Sequence, residues 1–225
     1  MARFLKPYPL LLRSSSTPAC RSFLATPGIS PAAFDENLLR LLRNEIAYLS
    51  DYFPPRPLPQ RFRSFSIEDH PGEQWIRLRS KNGAEDVKVD ATMFDGAAPL
   101  PPSSALSKRV EALELGPRLH ISLIVEVSPR GEGSDSVLEV ICSAWPESLD
   151  VRTLFPLRRK GAAVRPYMGR SFKNLDKEVK SWVISYLEER QVDDELAEFL
   201  HEYMANKGKA ELLRWMRMVE SILQK

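Results

Sequence analysis

The stretch Tyr167-Met168-Gly169-Arg170-Ser171-Phe172-Lys173-Asn174-Leu175-Asp176 leads into Tyr186-Leu187-Glu188-Glu189-Arg190 and then Glu195-Leu196-Ala197-Glu198-Phe199-Leu200-His201-Glu202. Phe172, Leu175, Val179, Trp182, Val183, Tyr186 and Leu187 recur on one helical stripe. A second stripe runs through Leu196, Phe199, Leu200 and Tyr203, then Leu212, Trp215, Met216, Val219 and Leu223. The spacing predicts C-terminal helices over about 171–190 and 194–224. Asp193-Asp194-Glu195, just before Leu196, reads as a cap with first-turn charges and not as an acid–base or cation-binding cluster. Gly208 falls inside the second helix, where glycine costs about 1 kcal/mol relative to alanine, so a kink or break is expected there.

Upstream the period changes from helical to two. Val87, Val89, Ala91 and Met93 alternate with Lys88, Asp90 and Thr92; Leu119, Ile121, Leu123, Val125 and Val127 alternate with His120, Ser122, Ile124 and Glu126. Leu138, Val140, Cys142 and Ala144 alternate with Glu139, Ile141, Ser143 and Trp145. Weaker strands are expected at Phe62 to Ile67 and Gln74 to Arg79. Turn chemistry separates these runs at His70-Pro71-Gly72, Lys81-Asn82-Gly83 and Pro129 to Asp135. Short turns between neighbouring strands imply an antiparallel meander, because parallel pairs need long crossovers. Ala97 to Ser107, rich in proline and serine, is expected to be a surface loop.

Farther upstream, Phe34, Leu38, Leu41, Leu42, Ile46 and Leu49 fall at helical spacing behind Asp35 and Glu36, predicting a helix over 33–51. Phe53-Pro54-Pro55-Arg56-Pro57-Leu58-Pro59 cannot continue it and reads as an extended linker. The fold class is therefore α+β: an N-terminal helix, an antiparallel sheet of about seven strands over roughly 60–160, and two C-terminal helices, forming one domain over 34–225. A sheet with helices on one face leaves its other face to solvent or to another subunit. Ile124, Ile141, Trp145 and Trp75 point to that other face, more apolar than a wetted surface requires, which predicts self-association.

Residues 1–33 contain Arg3, Lys6, Arg13 and Arg21, five serines and no acid. That composition suits an organellar transit peptide, with Arg21-Ser22-Phe23 as a mitochondrial processing site; chloroplast import uses similar compositions. Removing this +4 segment from a chain of net +2 leaves about −2, which does not advertise a nucleic-acid groove. The chain has two cysteines, and without Cys20 only Cys142 remains, as a reducing compartment would suit. The longest uncharged apolar run, Pro7 to Leu12, is too short to span a bilayer. None of the five asparagines begins a glycosylation sequon.

No catalytic, cofactor-binding or metal-binding residues emerge. His70, His120 and His201 lack partners at ligand spacing and read as solvated or interface imidazoles. Cys142 lies on the apolar side of its strand, as a buried hydrophobe would. Gly131-Glu132-Gly133 lacks the following helix that a phosphate cradle needs. Leu157-Arg158-Arg159-Lys160 reads as a solvated connection, although with Arg77 and Arg79 it is where direct RNA contact would begin. Trp182 and Trp215, on helical stripes, are expected in core or subunit packing.

The C-terminal strings resemble the mitochondrial glycoprotein family, also known as the mitochondrial matrix acidic protein family, whose human member binds the globular heads of complement C1q. The matching residues are Phe34-Asp35-Glu36, Tyr167-x-Gly169-x-x-Phe172-x-x-Leu175-Asp176 and Tyr186-Leu187-Glu188-x-Arg190. They continue with Glu195-Leu196-Ala197-x-Phe199-Leu200-His201-x-x-Met204-x-x-Lys207, and Trp215 matches the aromatic of the last helix. The resemblance implies a doughnut-type homotrimer in the mitochondrial matrix, each subunit carrying a twisted seven-stranded antiparallel sheet. It also implies a non-enzymatic adaptor or chaperone-like role in mitochondrial translation, ribosome assembly and oxidative phosphorylation. Its partners would be matrix proteins, the mitochondrial ribosome or RNA. One departure is charge: residues 161–225 hold eleven basic and eleven acidic side chains, unlike the strongly acidic members.

Overall fold

Alternating apolar residues need a register before they make a core, and the sheet supplies one. The computed structural model describes residues 31–98, 117–130, 135–158 and 167–224. Helix α1 (Pro31–Tyr52) precedes strands β1 (Arg61–Phe62), β2 (Phe65–Asp69), β3 (Trp75–Asn82), β4 (Glu85–Thr92), β5 (Gly96–Ala97), β6 (Leu119–Pro129), β7 (Ser136–Trp145) and β8 (Ser148–Arg158). A 3-10 turn (Phe172–Asn174) leads to α2 (Lys177–Glu188) and α3 (Asp194–Leu223). Seven strands form an antiparallel meander, β1-β2-β3-β4-β6-β7-β8, and β5 adds a short pairing to β6. The expected seven-stranded antiparallel sheet between an N-terminal helix and two C-terminal helices is the observed architecture.

Leu78, Val89, Val125 and Val140 stand opposite one another across four strands, so one row of the pleat becomes a continuous apolar floor. Val183, Leu187, Leu196, Leu200 and Met204 from α2 and α3 join the same core cluster. Full burial of such side chains stabilises by about 1.5–3 kcal/mol each. Antiparallel α1 lies along α3: Arg43 pairs with Glu220 at 2.8 Å, while the backbone of Arg56 bonds the side-chain amide of Asn206 at 2.8 and 2.7 Å.

Local rules explain the joints. Gly83 adopts φ +54° in the two-residue turn between Asn82 and Glu85, the conformation that tight hairpins demand. Asp193 caps α3, accepting a hydrogen bond from the Leu196 amide at 2.9 Å. Gly169 takes φ +71° beside β8, where the Thr153 hydroxyl donates to the Met168 carbonyl at 2.9 Å.

Several expectations are corrected. The helix expected over 171–190 is a 3-10 turn followed by the shorter α2, because Leu175 and Asp176 are extended. No break occurs at Gly208: α3 runs helical through it, with the flanking turns held by packing that outweighs glycine's propensity. Phe62 to Ile67 is not one strand, since Arg63 at φ +49° turns the chain between β1 and β2. Leu157 and Arg158 end a long strand and do not form a solvated connection. That strand escaped notice because a register shift opposite Ile141/Cys142 breaks its alternation. Leu213, not Leu212, is the buried leucine of late α3. Residues 1–30 of the transit-peptide segment, Gly131-Glu132-Gly133, Arg159-Lys160 and most of the loop after Ala97 lie outside the described residues, while residues 31–33 already belong to α1.

Candidate functional site

Two surfaces remain once the core is closed. The first is the sheet face turned away from the helices. Its strand positions are charged and meet in register: Glu68 opposite Arg77 opposite Asp90, and Arg79 opposite Lys88 opposite Glu126 opposite Glu139. Arg77 grips Asp90 with two hydrogen bonds of 2.6 and 2.9 Å. Arg79 binds Glu68 at 2.7 Å, and Lys88 pairs with Glu126. The Arg77 guanidinium also stacks on Trp75, 4.9 Å from the ring centroid. Cross-strand opposite-charge pairs of this kind contribute roughly 0.2–1 kcal/mol each.

Glu139 breaks the alternation of sign. It stands directly opposite Glu126, and burial, then the Glu126 charge, push its carboxyl above the usual range against the pull of Lys88. Ile124 and Ile141 form the apolar pair in the next row of the same face. Trp145 lies beside His120 at 4.9 Å between ring centroids and donates from Nε1 to Asp150 at 3.1 Å. The four apolar positions expected on this face therefore stand there, outside the helix-covered core.

The second surface belongs to the helices. Trp182 is 67% exposed and stacks on Tyr186, over which Arg190 lies 3.4 Å from the ring centroid while gripping Glu85 at 2.7 Å. On α3, Trp215 and Ile222 are 57% and 63% exposed, seven residues apart. On α1, Phe34, Leu41 and Tyr48 are exposed with the same spacing of seven. Of the core or subunit packing expected for Trp182 and Trp215, the chain's own core is ruled out: the helices bury a neighbouring stripe, and these aromatics face outward.

The histidines stay apart. His120 Nδ1 meets Asp95 at 2.7 Å, His201 Nε2 meets the Ala144 carbonyl at 3.2 Å, and the His70 carbonyl lies 3.4 Å from Lys207 Nζ. Burial lowers the His201 pKa. Among the described residues no group of three or more His, Cys, Asp or Glu could hold a metal. Cys142 is buried, its thiol pushed up to about 12 by burial and then by Asp150. No described helix is long and apolar enough to cross a membrane.

Sequence reasoning missed the buried cation Lys207, although the residue stands in the matched string. It reaches Asp69, whose other oxygen accepts from the Tyr203 hydroxyl at 2.9 Å. The signal was present: Lys207 follows Leu200 and Tyr203 on the apolar face of α3. Sequence also could not pair Arg77 with Asp90 or Lys88 with Glu126, since such pairs exist only once the register is known.

The sequence profile of the mitochondrial glycoprotein family matches residues 57–223. The chain belongs to that family. Within the mitochondrial glycoprotein family, an uncharacterized mitochondrial protein of Arabidopsis thaliana is 27% identical over 215 residues, covering 91% of this chain and 81% of that protein. Mitochondrial acidic protein mam33 of Schizosaccharomyces pombe is 23% identical over 184 residues, covering 72% and 68%. The p22 protein of Trypanosoma brucei shares the fold with a TM-score of 0.67 at 16% identity, over 84% of this chain and 98% of that one. A Leishmania major protein described as a homologue of human p32 gives 0.65 at 16% identity, over 85% and 99%.

Proposed function

We propose that this chain is a subunit of an oligomeric, non-enzymatic adaptor of the mitochondrial matrix, working through protein contacts. Homotrimeric assembly and support of mitochondrial translation, ribosome assembly and oxidative phosphorylation are the roles that its family resemblance suggests. The two relatives with mitochondrial names favour the organelle. The observation that carries the reading is the outward apolar residues of α1, α2 and α3, on helices that already bury other side chains, Leu42, Val183 and Leu200 among them. Patches of this kind on soluble chains mark sites of association.

Direct RNA contact through Arg77 and Arg79 is the weaker reading, because Asp90 and Glu68 already hold both guanidiniums. Sedimentation equilibrium tests assembly. The expected result is a trimer that falls to monomer in Trp215→Glu/Ile222→Glu with an unchanged far-UV spectrum. A stable wild-type monomer would end the proposal. Affinity purification from intact mitochondria would then name the clients.

A further inference from the structure

The uncovered sheet face is not uniform in charge. At the end near the β3–β4 turn it folds into an open groove of about 690 Å³, walled by β1, β2, β3, β4 and β6. Its two carboxylates are spoken for: Asp86 accepts from Arg130 at 2.6 Å, and Glu126 from Lys88. Of its four cations, Arg79 is held by Glu68 and Lys88 by Glu126. Arg61 and Lys81 remain, both exposed, with no ion pair among the described residues, although Asp86, which Arg130 holds, stands directly opposite Lys81 across the β3–β4 ladder. The groove therefore carries a local charge near +2 in a chain that is close to neutral, and its four serine hydroxyls, at Ser64, Ser66, Ser80 and Ser128, already donate within the protein.

We infer that this groove binds a phosphate monoester carried by a small molecule, held between Arg61 and Lys81. A monoester phosphate bears about −1.5 to −2 at pH 7, which matches the net excess left by the two cations without an ion pair. Arginine and lysine supply charge-assisted donors suited to its three oxygens. The volume lies in the range of small-ligand sites, roughly 300–1,000 Å³. A polynucleotide fits less well, because it needs cations continued along a track, and here the free ones occupy one end only. Toward β7 the face turns acidic, with Glu139 opposite Glu126, which bounds the site on that side. The inference is independent of the assembly proposed above.

Isothermal calorimetry on the full-length chain tests it, with inorganic phosphate and adenosine monophosphate as probes. Saturable binding is expected, weakened about tenfold or more in Arg61→Gln/Lys81→Gln and unchanged in Lys209→Gln/Arg217→Gln, which removes two charges elsewhere. Tighter binding of the nucleotide would identify an organic monoester, and equal binding would identify free phosphate. The inference is overturned if neither probe saturates below about 10 mM. It is equally overturned if the groove variant, shown folded by circular dichroism, binds as wild type, if both double variants lose binding alike, or if a single-stranded oligonucleotide binds there more tightly per phosphate.

Discussion

Lys207 Nζ stands 2.5 Å from Asp69 Oδ1, and the lysine side chain is 1% exposed. The carboxylate is shared with the Tyr203 hydroxyl, so one acid of β2 ties two residues of α3 to the sheet. Glu211 lies 3.8 Å from the same ammonium and accepts from the Gly72 amide at 3.0 Å, extending the tie to the β2–β3 turn. Removing one partner of a buried pair strands a charge, at a typical cost of about 3–5 kcal/mol.

Asp69→Asn is therefore expected to destabilise by about 3 kcal/mol, and more than Lys207→Met. The aspartate variant leaves a buried cation with only Glu211 at 3.8 Å to balance it, whereas the lysine variant leaves a carboxylate that keeps its tyrosine and 18% exposure. Urea unfolding of the single and double variants checks the order, and the double variant should recover part of the loss.

Two glycines should respond in opposite directions. Gly169→Ala forces an L side chain to φ +71° with its Cβ 3.4 Å from the Leu154 carbonyl oxygen, and should cost about 1–2 kcal/mol. Gly208→Ala lies in continuous helix, and its Cβ would make ordinary contact with Met93 at 3.6 Å. It should stabilise by up to about 1 kcal/mol. Thermal melts of the two variants decide.

Glu139→Gln is expected to raise stability at pH 7. The folded carboxyl sits above its ordinary pKa because of burial and the facing Glu126, so its stabilising contribution is present at acid pH and lost as pH rises through the folded value. The gain from glutamine should thus vanish near pH 4. Denaturant midpoints of both proteins across that range provide the check.

Cys142 should resist thiol reagents at pH 8 until the chain unfolds, since its folded pKa is pushed up to about 12. The unfolded thiol ionises near pH 9, so its contribution is intact below that and disappears between pH 9 and about 12. Cys142→Ala should flatten part of the alkaline stability loss, while Tyr186 and Tyr203, also raised by burial, retain the remainder. Reaction with dithionitrobenzoate in native and denaturing buffer checks the first point.

Helices and most strands were legible because burial imposes a period: Val87, Val89 and Ala91 point inward, as do Leu196 and Leu200. What stayed illegible depends on contacts distant in sequence. The Trp182 stripe has the right spacing for a core, but whether it or Val183 is covered depends on how α2 rolls against the sheet. β8 hid behind a bulge and Pro156. The groove cations Arg61 and Lys81, twenty positions apart, share a site only because β1 folds back along β2 onto β3. Charge spacing alone directed attention instead to Arg77 and Arg79, both of which the sheet neutralises.

The pairing of α1 with α3, sealed by Arg43 and Glu220 across 177 positions, sets a timetable. The leading helix has nowhere to shelter Leu42 until the final thirty-residue helix exists. A chain delivered from its amino end must therefore hold its opening segment in waiting, exposed to chaperones, until the tail arrives.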